Sequence, residues 1–237
     1  MDKMKKGALL LSGQLRSFTQ TWQKISEFVK FNNLDVYCHN WQESNVNLVN
    51  EVLIPTKQLI ENYDVNVPLF EEMQKEIQQK NPKNLVTPDK LINSISLHYG
   101  KRKAFELVNL KYDFFVSTRY DIDIKKEINV LDMINAHPDQ VITPSEHSYG
   151  MVSDIFSIIP NKFASDYFLY PNIVDLFGTP FSEGFIKYLK ELVKISESNI
   201  EIHNKQRYCP HMLILKNYFE KNIYSLLEGN LSLSIQR

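Results

Sequence analysis

Apolar and polar residues alternate in blocks along this chain, and the blocks predict strands and helices in turn. Residues 7–11 form a short continuous apolar run closed by Ser12-Gly13-Gln14, the pattern of a buried strand that leaves through a tight turn. Over 18–31 the apolar side chains fall at Phe18, Trp22, Ile25, Phe28 and Val29, the spacing of an amphipathic helix. Residues 35–38 predict a second short strand leading to His39-Asn40-Trp41. Strand, helix, strand in that order favours a parallel sheet with a right-handed crossover.

Residues 43–90 are more polar and are punctuated by Pro55, Pro68, Pro82 and Pro88. They predict a third strand and a variable helical insertion. Residues 91–110 are helical again, with apolar positions at Leu91, Ile95, Leu97, Ala104, Leu107 and Val108; Gly100 weakens the run and allows two helices. Phe114, Phe115 and Val116 then read as a buried strand. Beyond it the pattern predicts a helix at 130–136, a strand at 141–143 and an interrupted strand at 149–159. Further helices fall at 161–169, 183–196 and 210–221, and the alternating tail around Leu231, Leu233 and Ile235 has the period of a half-buried strand. With no repeat or low-complexity linker, the chain reads as one mixed α/β domain over residues 1–237.

The chemistry concentrates where the strand at 114–116 ends. There the apolar run gives way to Arg119-Tyr120-Asp121-Ile122-Asp123. In an extended chain, residues i and i+2 share a side and lie about 6–7 Å apart. Asp121 and Asp123 would then face one space while Ile122 points back into the protein. Two carboxylates sharing a site repel unless a positive group lies between them. A hard divalent cation with oxygen ligands, itself bound to phosphate, meets that need. Asp-x-Asp is also common in solvated turns, and position is what singles this one out: in open α/β sheets, ligands bind beyond the carboxyl ends of the strands. Arg119 either pairs with one of the aspartates or offers positive charge to a diphosphate.

Composition narrows the classes. The 237 residues are 43% hydrophobic and 12% aromatic, enough for a substantial core. Net charge is −1, from 27 Lys and Arg against 28 Asp and Glu, so no global field draws the protein to nucleic acid. Cys38 and Cys209 form no C-x-x-C pair, which argues against zinc or a disulfide framework and fits a reduced, cytoplasmic protein. The apolar run near the N-terminus is too short for a membrane span and lacks a signal-peptide cleavage site. Lys3, Lys5 and Lys6 leave room for peripheral contact with the inner face of a membrane, or are simply solubilising. Neither G-x-G-x-x-G nor a P-loop occurs, so a dinucleotide cofactor and a P-loop kinase are not indicated.

Several stretches, taken in order, resemble bacterial GT-A-fold glycosyltransferases, the small enzymes of capsule and lipopolysaccharide biosynthesis. They are Leu11-Ser12-Gly13-Gln14-Leu15-Arg16-Ser17-Phe18, Val36-Tyr37-Cys38-His39-Asn40-Trp41, the segment with Tyr99, Lys103, Ala104, Glu106 and Leu107, Tyr112-Asp113 with Arg119 to Asp123, and Val152-Ser153-Asp154-Ile155-Phe156. The resemblance spans most of the chain outside about 43–90. It implies a GT-A-like (Rossmann-like) domain with a mostly parallel central sheet flanked by helices. It also implies a nucleotide-sugar donor and a glycan or lipid-linked glycan acceptor, with Mn2+ or Mg2+ held by Asp121 and Asp123 against the diphosphate.

Under the same resemblance, Ser12, Gly13 and Gln14 meet the donor from the first strand-to-helix loop, and Arg16, Lys103 and Arg119 supply positive charge. His39 and Trp41 offer an aromatic face to a base or sugar, though Trp41 reads equally as core. An inverting transferase needs a carboxylate beside the acceptor hydroxyl. Asp154 is the first choice and Glu183 the second, each with a plain alternative as a backbone cap. The family often has a glutamate after the proline that opens the late helix; here Pro210 is followed by His211, which, or His203, is a candidate third metal ligand. Two other classes use similar parts: a metal-dependent nucleotidyl- or phosphotransferase, and a non-catalytic nucleotide- or carbohydrate-binding module.

Overall fold

The computed structural model describes residues 5–80, 88–124, 128–139, 141–142, 145–146, 151–152, 156–169, 174 and 234–235. A five-stranded sheet forms the centre. Its strands are β1 (Gly7–Gly13), β2 (Leu34–Trp41), β3 (Lys57–Glu61), β4 (Phe114–Thr118) and β8 (Phe156–Pro160), in the order β3-β2-β1-β4-β8. The β1–β2, β2–β3 and β1–β4 pairs are parallel and β4–β8 is antiparallel. The fold is therefore α/β with a mostly parallel sheet.

Helices cover both faces, which is why the inner strands read as unbroken apolar runs. Alternate residues of β1 point to opposite sides. Leu9 and Leu11, with Val36, Cys38, Phe114, Val116, Phe156 and Ile158, pack against α1 (Phe18–Phe31), α2 (Val46–Leu53) and α5 (Val130–Ala136). The other face meets α4 (Pro88–Glu106) and α6 (Asn161–Phe168), where Phe115 makes edge contacts with Phe105 and Phe168. A second cluster joins Trp41 to Phe70 and Ile77 of α3 (Tyr63–Lys80) and to Leu91 and Ile95 of α4.

Gly7 is required by space rather than by conformation. A Cβ there would lie 2.2 Å from Cε2 of Phe114 and 2.8 Å from Cδ2 of Leu34, on the two neighbouring strands. Gly100 serves a different close approach. A Cβ would come within 3.0 Å of His39 Nδ1 and 3.5 Å of Ser12 Cβ, so the glycine lets α4 settle onto the ends of β1 and β2. That contact explains why α4 runs through Gly100 as one helix.

Other elements depart from the sequence pattern at their ends. β2 runs to Trp41, three residues past the expected stop. Pro68 does not break α3, which continues from Tyr63 to Lys80. Of the expected strand at 141–143, the described residues show a bridge between Ile142 and Ile158. The interrupted strand at 149–159 divides into β7 (Met151–Val152), paired with β6 (Ser145–Glu146), and β8. The tail contributes β9 (Ser234–Ile235), antiparallel to β5 (Ile122–Asp123). The helices expected at 183–196 and 210–221 lie outside the described residues.

No helix among the described residues is long and apolar enough to cross a membrane. Lys5 donates to Asn135 at 2.7 Å, and Lys6 pairs with Asp35 at 2.7 Å beneath the Tyr112 ring. Two of the lysines considered for membrane contact are thus engaged within the fold.

Candidate functional site

The strand order creates a switch point. From β1 the chain moves outward through β2 to β3, then returns by α3 and α4 to place β4 on the other side of β1. The loops leaving β1 and β4 consequently diverge, and a crevice opens beyond their carboxyl ends. A cleft of about 320 Å³ lies there, within the range of roughly 300–1,000 Å³ typical of small-molecule sites. Ser12 and Gly13 line it from the end of β1, which runs two residues past the expected stop, Gln14 and Arg16 from the β1–α1 loop, Arg119 and Asp121 from just beyond β4, and Trp41 from the end of β2. The N-terminal half of α4 closes the far wall with Asn93, Ser94, Ser96 and Leu97.

Each lining residue has a local reason for its place. Gly13 has φ of +114°, a conformation L side chains rarely adopt, while nothing lies within 4 Å of an added Cβ. The glycine is thus demanded by the turn rather than by crowding. Leu15 is wholly buried and anchors the loop, and Arg16 beside it is exposed on the cleft wall. After β4 the chain alternates again: Tyr120 and Ile122 are wholly buried, with the Tyr120 ring edge-on to Phe18 at 5.3 Å. Arg119 and Asp121 take the cleft side. They form a two-pronged ion pair, Nε to Oδ1 at 2.9 Å with the second guanidinium nitrogen on Oδ2.

The two aspartates do not share one space. That expectation assumed an extended chain, but Tyr120 and Asp121 occupy a turn between β4 and β5. Asp121 is consequently held by Arg119, whereas Asp123 is not among the residues lining the cleft and takes Lys24 of α1 at 2.6 Å. Their oxygens suit a hard cation in kind. Both carboxylates are already met by cationic side chains, however, and the described residues contain no group of three or more His, Cys, Asp or Glu placed to hold a metal ion. Among the described residues, no third ligand joins Asp121 and Asp123. His211 and His203, the candidate third ligands, lie outside the described residues, as do Asp154 and Glu183.

His39 and Lys103 are also placed differently from the expectation. His39 is wholly buried beneath the cleft, because β2 carries it under α4 at Gly100. Its Nε2 is 2.8 Å from Glu61 Oε2, and among the described residues Nδ1 has no hydrogen-bond partner. Burial holds its pKa below the usual 6.5, only partly offset by Glu61, so the ring is neutral and Nε2 donates. Lys103 sits on a later turn of α4, paired with Glu106 at 3.1 Å and 5.4 Å from the centre of the Tyr99 ring.

Trp41 is nearly buried and belongs to an aromatic cluster under the cleft. The His39 ring meets it edge-on at 4.7 Å and the Tyr99 ring stacks on it at 6.0 Å, while the Tyr99 hydroxyl donates to Glu61 at 3.1 Å. Trp41 is a core residue that also lines the cleft.

Sequence reasoning missed Asn93, Ser94, Ser96, Glu43 and Glu61. The first three are polar residues on a helix otherwise packed on the sheet, which was the one available signal. The two glutamates carried none. Glu43 accepts from Leu15 N–H at 3.2 and 3.3 Å, and burial lifts its pKa against the opposing pull of that hydrogen bond and of Arg16.

No protein-family model and no curated protein matches the sequence. Among solved structures, mouse xyloside xylosyltransferase 1 in its apo form aligns over 94% of this chain and 85% of its own, at 10% identity with a TM-score of 0.46. The glycosyltransferase GlyE of Streptococcus pneumoniae TIGR4 aligns over 94% of this chain and 46% of its own, at 11% identity with a TM-score of 0.47. The bifunctional WbbM aligns over 75% of this chain and 35% of its own, at 9% identity and a TM-score of 0.36. The chain thus spans less than half the length of the latter two. Likeness at this level carries no argument about its chemistry.

Proposed function

We propose that the protein is a glycosyltransferase that moves a sugar from a nucleotide-sugar donor to a glycan acceptor of the cell surface. One observation carries the reading: a cleft at the sheet's switch point whose walls bring Arg16, Arg119 and Asp121 together beside Ser12, Gly13 and Gln14. Sugar transfer expels a nucleoside diphosphate, and negative charge grows on its oxygens as the glycosidic bond breaks. Cationic groups fixed before the reaction stabilise that charge without reorganising. Arg119 is fixed by Asp121, and Arg16 projects from an anchored loop. Among the described residues, Asp121 and Asp123 do not by themselves complete a site for a divalent ion.

The test is a thermal-shift series with uridine, guanosine and cytidine nucleotide sugars, each with and without Mn2+, followed by product analysis. A donor at a hundred times its Kd adds about 2.7 kcal/mol to stability. For a chain of this size that is a rise of roughly 5–10 °C. Free nucleoside diphosphate, or nucleoside monophosphate from a cytidine donor, must appear with acceptor. No shift with any donor and either metal condition would refute the reading. Release of pyrophosphate would move the protein to the nucleotidyltransferases, a phosphorylated acceptor would make it a phosphotransferase, and binding without turnover would leave a binding module.

A further inference from the structure

Arg16 is the more exposed of the two arginines that line the cleft. It is exposed, and among the described residues no hydrogen bond or ion pair within 4.0 Å restrains its side chain. A long, flexible arginine of this kind is useful to a diphosphate only if its backbone is fixed, since ordering it on binding otherwise costs affinity.

The backbone is fixed from both sides. Leu15, immediately before Arg16, buries its side chain completely, and its carbonyl accepts from Phe18 N–H at 2.8 Å as α1 begins. Its N–H donates to the Glu43 carboxylate, with Oε2 at 3.2 Å and Oε1 at 3.3 Å. Glu43 reaches across from the β2–α2 loop, which is itself tied down. Gln42 N–H bonds the Glu61 carbonyl at 2.8 Å, and the Glu43 carbonyl accepts from Val46 N–H at 3.2 Å.

We infer that Glu43 is a positioning residue for Arg16: its carboxylate clamps the Leu15 amide, holds the β1–α1 loop against the β2–α2 loop, and aims the Arg16 guanidinium at the cleft. A carboxylate is suited to this because its negative charge also attracts the guanidinium from its own side of the loop. The Arg16 donors stay free of any hydrogen bond or ion pair to the described residues and are left to a ligand. The inference rests on the proposed nucleotide-sugar site and names the residue that shapes its diphosphate end.

The test uses isothermal titration of uridine and guanosine diphosphates, with uridine and guanosine as phosphate-free probes. The full chain is compared with Arg16→Ala, Glu43→Ala, Glu43→Gln and the Arg16→Ala/Glu43→Ala double variant. The expected result is that Glu43→Ala weakens diphosphate binding about 5–20-fold while nucleoside binding changes less than twofold. Glu43→Gln, which keeps an oxygen for the Leu15 amide, recovers most of the loss, and the double variant is no weaker than Arg16→Ala alone. Equal weakening of nucleoside and diphosphate by Glu43→Ala, or full additivity with Arg16→Ala, would overturn the proposal and leave the site reading standing. Failure of the unaltered protein to bind either diphosphate would defeat the site reading itself, and this inference with it.

Discussion

Glu61→Ala is the perturbation that most directly probes what lies beneath the cleft. Glu61 ends the edge strand, with its side chain 22% exposed, yet it is the hydrogen-bond partner of a histidine with no exposure at all. Removing it leaves His39 Nε2 without a partner among the described residues, beside an Nδ1 that already has none there. Stranding a buried donor costs about 1–3 kcal/mol. The Tyr99 hydroxyl also loses its 3.1 Å bond, keeping only the longer one to Asn66 at 3.4 Å, for about 1 kcal/mol more. The expected loss is about 2–4 kcal/mol, or on the order of 10 °C in Tm for a domain of this size. Urea unfolding should show a lower midpoint at unchanged m-value. His39→Leu removes the stranded group, so the double variant should be less destabilised than the sum of the singles by at least about 1 kcal/mol. Additivity of the two changes would refute the reasoning.

The same pair sets a pH dependence. His39's folded pKa lies below its ordinary 6.5 because burial disfavours the cation, with Glu61 opposing in part. Its contribution to stability is therefore complete above pH 6.5 and is lost as pH falls from there through the folded value, where the unfolded chain binds the proton first. Tm should decline across that window in the unaltered protein. His39→Leu should flatten the decline.

Three further outcomes follow from single positions. Gly7→Ala drives a methyl to within 2.2 Å of the Phe114 ring, and should cost about 1–3 kcal/mol or more, read by thermal unfolding. Gly13→Ala meets no atom but must hold φ near +114°, so it should cost about 1–3 kcal/mol and weaken nucleotide-sugar binding in the thermal-shift assay by reshaping the turn. Asp123→Asn breaks a pair whose lysine is half exposed, and should change stability by no more than about 1 kcal/mol. Should a Mn2+-dependent donor shift exist and vanish in Asp123→Asn, the residue reaches the metal by leaving Lys24.

Much of this molecule was legible in one dimension. The run at Gly7–Leu11 announced a buried first strand, which the fold extends to Gly13, and the helix over 18–31 appeared at its observed bounds. These patterns are local: burial on two faces demands continuous apolar residues, and burial on one helical face demands a period of 3.6. The acidic segment after β4 was likewise visible, as an abrupt end to an apolar run, whereas the turn expected at Ser12-Gly13-Gln14 comes later, because β1 pairs with β2 as far as Gly13.

Pairing was not legible, because it depends on what the fold brings together. Asp121 and Asp123 are two residues apart, yet a turn at Tyr120 and Asp121 assigns one to Arg119 and the other to Lys24, whose place comes from how α1 packs. His39 had the look of a ligand group until the sheet set Glu61 beside it and α4 laid Gly100 across it. Glu43 had no pattern of its own, since its partner is a backbone amide on another loop. Sequence periodicity determines which residues must leave water; only the tertiary structure decides which charged groups then meet, because those contacts join segments that share no local repeat.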